Sequence, residues 1–207
     1  MYALAIHTAS PDLGLAISNF AGDDRRLTQN LGQSLSSQIH PLLIEFLLPQ
    51  SWADLTFLAV AKGPGSFTGT RMGVVTARTL AQQLEIPLFG ISTLAAAVWA
   101  ARETGDRHQD WAVSFPAQRG AVHAAIYRMS EAADKPALMA KLPDTVMDQA
   151  EWQQTLATWE TPYQTIAAPP NMGDTTASLL ELAYGQWLAG DRPHWSDILP
   201  FYGQSPV

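Results

Sequence analysis

Lys62-Gly-Pro-Gly-Ser-Phe-Thr-Gly-Thr-Arg71 follows the apolar run Leu58-Ala-Val-Ala61 and opens a segment of helical character, residues 72–84. A glycine-rich turn between a buried strand and a helix gathers free backbone N–H groups at the positive end of that helix. One reading is therefore an anion or phosphate cradle built on Gly63, Gly65 and Ser66. The other is a tight strand-to-helix turn in which Ser66 is the N-cap and Gly63, Pro64 and Gly65 supply turn geometry. Spacing alone favours the second and leaves the first open. A Walker A loop is not supported: Gly65 to Gly69 is one residue short, and Thr70-Arg71 stands where Lys and Ser/Thr are needed.

The helix after the turn has two distinct faces at about 100° per residue. Gly69, Gly73, Thr76, Ala77, Leu80 and Leu84 form one, small at its start, which can lie close on a sheet. Phe67, Arg71, Val74, Val75 and Arg78 form the other, mixing aromatic, β-branched and guanidinium groups as a protein–protein interface does. A helix buried on both sides with arginines at its rim accounts for the same pattern. Residues 34–48 are a second helix, with Leu35, Ile39, Leu42, Leu43 and Phe46 on one side and Ile44 and Leu48 on the opposite one. A helix apolar on nearly all sides needs cover on more than one. Pro41 within it is expected to kink or restart the helix.

Outward from these helices the chain alternates strand and helix. Residues 2–6, 13–19 and 25–30 are expected to form an antiparallel meander, and residues 55–61 a central parallel strand. Residues 86–90 form a short strand, with Ser92 capping a helix over 93–102. The second half repeats the order: strands at 111–115 and 121–128, an excursion over 131–144, a helix over 147–159, a strand at 163–168 and a helix over 175–188. Three prolines should keep the tail from 191 onward extended. The expectation is an α/β protein with mixed sheets, an N-terminal subdomain over 1–104 and a C-terminal subdomain with an extended tail over 105–207. No internal sequence repeat accompanies the repeated order.

Composition narrows the chemistry. The chain has no cysteine, so disulfides and thiolate chemistry are out of reach. A net charge of −7 with three lysines argues against independent binding to nucleic acid, which relies on basic patches. Met1 runs straight into the first strand without a basic flank, and no run of about 18 apolar residues occurs, so a cytoplasmic protein that spans no membrane is expected. No G-x-S-x-G elbow and no H-E-x-x-H spacing is present. The turn over 7–12 offers a second phosphate contact through Thr8 and Ser10, although in isolation an ordinary Ser/Thr-rich hairpin turn is the favoured reading. His7 and Asp12 are the only groups there that a phosphate-bound Mg²⁺ could use. Residues alone support catalysis weakly.

The runs Leu4-Ala-Ile-His-Thr-Ala-Ser10, Val60-Ala-Lys-Gly-Pro-Gly-Ser-Phe-Thr-Gly-Thr-Arg-Met-Gly-Val74 and Ile86-Pro-Leu-Phe-Gly-Ile-Ser-Thr-Leu94 together resemble the TsaB (YeaZ) family, which takes part in making threonylcarbamoyladenosine next to the tRNA anticodon. The resemblance covers residues 1–100 well and thins beyond them. Pro116-Ala-Gln-Arg-Gly120 is similar to the family's Asp-Ala-Arg-x-Gly element with its aspartate missing, and Ile198-Leu-Pro-Phe-Tyr202 is loosely similar to its terminal Pro-x-Tyr pattern. His7 stands where family members usually carry Asp.

The resemblance implies the actin-like, Hsp70-like ATPase (ribonuclease H-like) fold and a non-catalytic role as the obligatory partner of the catalytic subunit TsaD, with the ATPase TsaE joining the complex. ATP and metal are expected on those partner subunits, none being intrinsic to this chain, and tRNA is expected to meet it only through the complex. Carried onto this sequence, the partner surface comprises Leu35, Ile39, Leu42, Leu43 and Phe46 with Phe67, Arg71, Val74, Val75 and Arg78. The same apolar surface allows a homodimer in isolation. Val74→Glu is then expected to leave the fold intact and abolish association. Thr8, Ser10, Gly63, Gly65 and Ser66 become vestigial phosphate loops. The alternative is a nucleotide-hydrolysing or phosphotransfer enzyme of the same fold that uses those loops.

Overall fold

In a computed structural model, residues 1–106, 108–130, 137–201 and 203 are described. The chain folds as two mixed sheets with helices between and outside them. The first sheet holds β1 (Tyr2–His7), β2 (Asp12–Ser18), β3 (Asp24–Asn30), β4 (Leu55–Ala61) and β5 (Leu88–Ile91), in the spatial order β3-β2-β1-β4-β5. The first three strands are an antiparallel meander, and β4 and β5 join parallel to β1. The second sheet, β6 (Asp110–Pro116), β7 (Ala121–Met129), β8 (Leu138–Asp148) and β9 (Tyr163–Ala167), runs β8-β7-β6-β9. Here too a three-stranded meander is followed by one parallel strand. The repeated order expected from sequence is thus repeated topology.

Two helices cover the outer face of the first sheet, α1 (Leu35–Leu47) and α2 (Phe67–Leu84). Their inward residues and the even-numbered residues of β1 form one core, including Leu4, Ile6, Ile39, Leu43, Val60, Val74 and Ala77. Pro41 does not interrupt α1. It sits on the exposed side, and Ser37, whose carbonyl loses its helical partner there, is also exposed, so water can satisfy it. The small helix α4 (Gln149–Ala157) covers the outer face of the second sheet through the buried Trp152.

The remaining helices, α3 (Thr93–Ala101) and α5 (Thr176–Leu188), lie between the sheets and pack on each other. Their placement is crossed. α3 follows the first sheet in sequence but rests on β6 and β7, while α5 follows the second sheet but rests on β1, β2 and β4. One continuous core results, from Ala3, Ala5, Phe57 and Phe89 through Leu94, Val98, Leu179 and Ala183 to Trp111, Val113 and Ala125. Phe57 lies at its centre, edge-on to Phe89 at 5.1 Å and stacked on Trp187 at 5.2 Å. Buried Asp110 ties the second sheet together: it pairs with Arg128 at 2.7 Å and accepts from the Trp159 indole at 3.0 Å.

Beyond α5 the tail runs back along the edge of the first sheet. The Pro193 carbonyl accepts from Leu88 N–H at 3.3 Å, Ile198 packs on Gly90, and Phe201 N–H donates to the Lys62 carbonyl at 2.7 Å. Covering an edge strand in this way removes a site for unwanted pairing. No helix among the described residues is long and apolar enough to cross a membrane.

Besides the uninterrupted α1, a second sequence expectation fails here. Most of the stretch read as an excursion, from residue 138 on, is the long edge strand β8, and residues 131–136 lie outside the described residues. Lys141, Pro143 and Asp144 disguise it; an edge strand tolerates proline and charge because one side needs no ladder bonds.

Because the crossed helices give both sheets a common core, the chain should unfold in one transition. Leu179→Ala is expected to cost about 2–5 kcal/mol and to move the entire urea transition, tryptophan fluorescence and far-ultraviolet dichroism remaining coincident. Two separated transitions would contradict the shared core.

Candidate interaction face and the turns beneath it

The start of α2 is built by contact with the β1–β2 turn. Ser66 caps the helix, its Oγ accepting from Gly69 N–H at 3.2 Å, while its own N–H donates to the Ala9 carbonyl at 2.7 Å. The buried Thr8 hydroxyl donates to the Gly69 carbonyl at 2.7 Å. Such contacts require bare backbone. A Cβ on Gly65 would stand 2.1 Å from the Ala9 carbonyl oxygen, one on Gly69 would stand 2.2 Å from that of Thr8, and one on Gly73 would stand 2.1 Å from the Thr8 hydroxyl. Gly63 adds a positive φ of 99°, which opens the turn.

The two turns singled out for phosphate therefore face one another and are occupied by the chain itself. Thr8 is spent on Gly69, and the hydroxyl oxygen of the buried Ser10 accepts from Met172 N–H at 3.1 Å. His7 is fully buried, neither ring nitrogen has a partner, and burial lowers its pKa to about 4. A neutral, sealed imidazole does not supply the negative oxygen ligands that Mg²⁺ prefers. Among the described residues no three His, Asp or Glu side chains gather as metal ligands. The Pro116–Gly120 hairpin is exposed, with positive φ at Arg119 and Gly120.

The residues read as a partner surface separate into two groups. Leu35, Ile39, Leu43 and Val74 are 6%, 0%, 2% and 1% exposed, so they belong to the outer core of the first sheet and offer nothing to a partner. Leu42 and Phe46 are half-buried at the rim of that core. Phe67, Arg71 and Val75 do reach the surface; the Arg71 guanidinium lies 4.0 Å over the Phe67 ring, and Val75 is 61% exposed. Arg78 is half-buried, with Trp195 of the tail 5.7 Å away.

Sequence reasoning left out two residues of this face, Ile44 and Leu48, exposed at 61% and 63%. The helical period sets them opposite the stripe Leu35–Ile39–Leu43, and that continuous stripe is the one that packs on the sheet. The apolar residues left over are the ones exposed on the outer side of the helices.

A sequence model of the family described as TsaD, tRNA N6-adenosine threonylcarbamoyltransferase, matches residues 31–179. The protein named tRNA threonylcarbamoyladenosine biosynthesis protein TsaB from Bacillus subtilis is 34% identical over 163 residues, covering 75% of this chain and 66% of that protein. Its namesake from Escherichia coli is 33% identical over 136 residues, covering 63% and 57%. The chain thus spans just under two thirds of the length of the first relative and less of the second. Among solved structures, YeaZ from Pseudomonas aeruginosa superposes with a TM-score of 0.77 at 20% identity, covering 97% of this chain and 99% of that one. A second, described as an uncharacterized protein with similarity to peptidase YEAZ from the same organism, gives 0.80 at 18%, covering 98% and 99%. The chain shares the fold of these two proteins, with two mixed-sheet halves.

Two expectations follow from burial. Val74→Glu places a charge in the core and should unfold the protein or lower its Tm steeply, whereas Val75→Glu should leave the Tm nearly unchanged; thermal melts of the two variants decide it. His7 stays neutral in the fold down to about pH 4, while the unfolded chain takes up its proton near pH 6.5. Its contribution should therefore make stability fall by about 1.4 kcal/mol per pH unit as the pH drops from 6.5 to 4. The difference between wild-type and His7→Gln urea stabilities across that window measures it, and a flat difference would refute it.

Proposed function

This chain belongs to the TsaB (YeaZ) family, and we propose that it acts in the biosynthesis of tRNA threonylcarbamoyladenosine as a non-catalytic subunit that pairs with a TsaD-like catalytic protein. The observation that carries this reading is the outward side of α1 and α2, where Ile44, Leu48, Phe67 and Val75 are exposed on two helices whose inner sides are already packed. Stacked Arg71 beside Phe67 adds a residue pair typical of binding hot spots. A partner that covers this face removes apolar area from water; at about 25 cal/mol per Å² this is a substantial drive for association. In isolation the same face pairs two copies of the chain, and a TsaD-like protein competes for it.

In this reading ATP and metal sit on the TsaD-like and TsaE-like subunits, tRNA reaches the chain through the complex, and the assembly works in the cytoplasm. The second reading, a nucleotide-hydrolysing or phosphotransfer enzyme, has less support. Its two phosphate loops would have to release Thr8 from Gly69 and Ser10 from Met172, and its acidic metal ligand is replaced by the buried His7.

Val75→Glu should abolish co-purification with the TsaD-like subunit and, in a reconstitution with all subunits, reduce tRNA modification to the level seen without this chain. Full modification by that variant would reject the proposed face. Turnover of ATP by the isolated chain would favour the enzyme reading instead.

A further inference from the structure

A cavity of about 460 Å³ opens between the two halves, within the roughly 300–1,000 Å³ range of small-molecule sites. It is remote in character from the α1–α2 face: its walls come from the ends of β4 and β5, the start of α3, β7, β8, α5 and the tail. Leu182, Ala95 and Ile91 give it an apolar side, and Lys62, Ser92, Tyr127 and Asp144 a polar one.

The polar groups are held in place. Ser92 is the N-cap of α3, its Oγ accepting from the N–H groups of Leu94 at 3.1 Å and Ala95 at 3.2 Å. Tyr127 Oη lies 3.2 Å from that oxygen and donates to Asp144 Oδ1. The Asp144 carboxyl is therefore aimed by a hydroxyl that is itself fixed to a helix end. Burial raises its pKa, opposed by the bonds from Ser92 and Tyr127 and by the charge of Lys62. Lys62 is pinned through its backbone, its N–H donating to Ile91 at 2.9 Å and its carbonyl accepting from Phe201 at 2.7 Å. Its stem crosses Gly90, where a Cβ would lie 3.3 Å from the Lys62 Cδ. Among the described residues no ion pair engages the Lys62 ammonium, Asp144 included.

We propose that this cavity binds a small zwitterion of amino-acid size, Lys62 receiving its carboxylate and Asp144 its ammonium group. Two carboxylates line the cavity, the inner Asp144 fixed by Tyr127 and the exposed Asp191, with Lys62 as its cation. Lys62 and Asp144 share it without an ion pair among the described residues, so a ligand that carries both signs satisfies both at once. A simple anion would leave Asp144 facing it, and a simple cation would leave Lys62. The adjacent apolar wall accommodates a modest side chain.

Calorimetric titration of the full chain with glycine, valine and lysine, each also in its N-acetyl and carboxamide forms, tests this. At least one free amino acid should bind saturably, and blocking either end should weaken binding about tenfold or more, equivalent to 1.4 kcal/mol. Lys62→Met should erase the preference for free acid over amide, and Asp144→Asn the preference for free amine over acetylated amine. Thermal melts establish that each variant is folded; if Asp144→Asn is not, the acid-to-amide ratio of Lys62→Met carries the test alone. Absence of saturable binding to the wild type, or equal affinity for free and blocked forms, overturns the proposal.

Discussion

The Thr8 hydroxyl reaches the Gly69 carbonyl at 2.7 Å only because three residues of the turn and helix beside it have no side chain. That contact fixes α2 against the end of β1 and thereby sets the rotation of the whole helix. Once Gly69 and Gly73 face the turn, Val74, Ala77 and Ala81 must enter the core, and Phe67, Arg71 and Val75 must leave it. The turn approaches its own backbone, and the exposed side of the helix is the consequence of that close packing.

The second organising constraint is the exchange of α3 and α5 between sheets. Each half leaves one sheet face bare, and the last helix of the other half covers it. The cleft between the halves is consequently lined from both, so Lys62 and Ser92 of the first half face Tyr127 and Asp144 of the second. The chain repeats a topology whose two copies share no recognisable sequence, because what each copy must preserve is strand order and apolar content, and many side chains meet those needs.

Much of the fold was legible in the residues. Apolar runs and turn chemistry located β1, β2, β6 and β7, dense apolar content identified β4, and Ser66 and Ser92 marked two helix starts that their hydroxyls indeed cap. The edge strand β8 was not legible, since proline and charge are permitted where one side of the strand is unpaired. The interaction face was legible only as an excess of apolar surface. Adjacent valines at 74 and 75 differ in exposure by 1% against 61%, a distinction of 100° of helical rotation that composition cannot express.

By itself the sequence determined the α/β class, the order of nearly all the elements, the family and the presence of two helices with more apolar surface than one core requires. Those properties follow from local pattern, turn geometry and a glycine spacing that few folds need. The tertiary structure alone decided which side of each helix is free, why His7 is neutral, and that Lys62, Ser92, Tyr127 and Asp144 line one cavity. Such facts depend on how elements far apart in the chain rotate and approach, and the energy that sets those rotations is close packing distributed over the entire core.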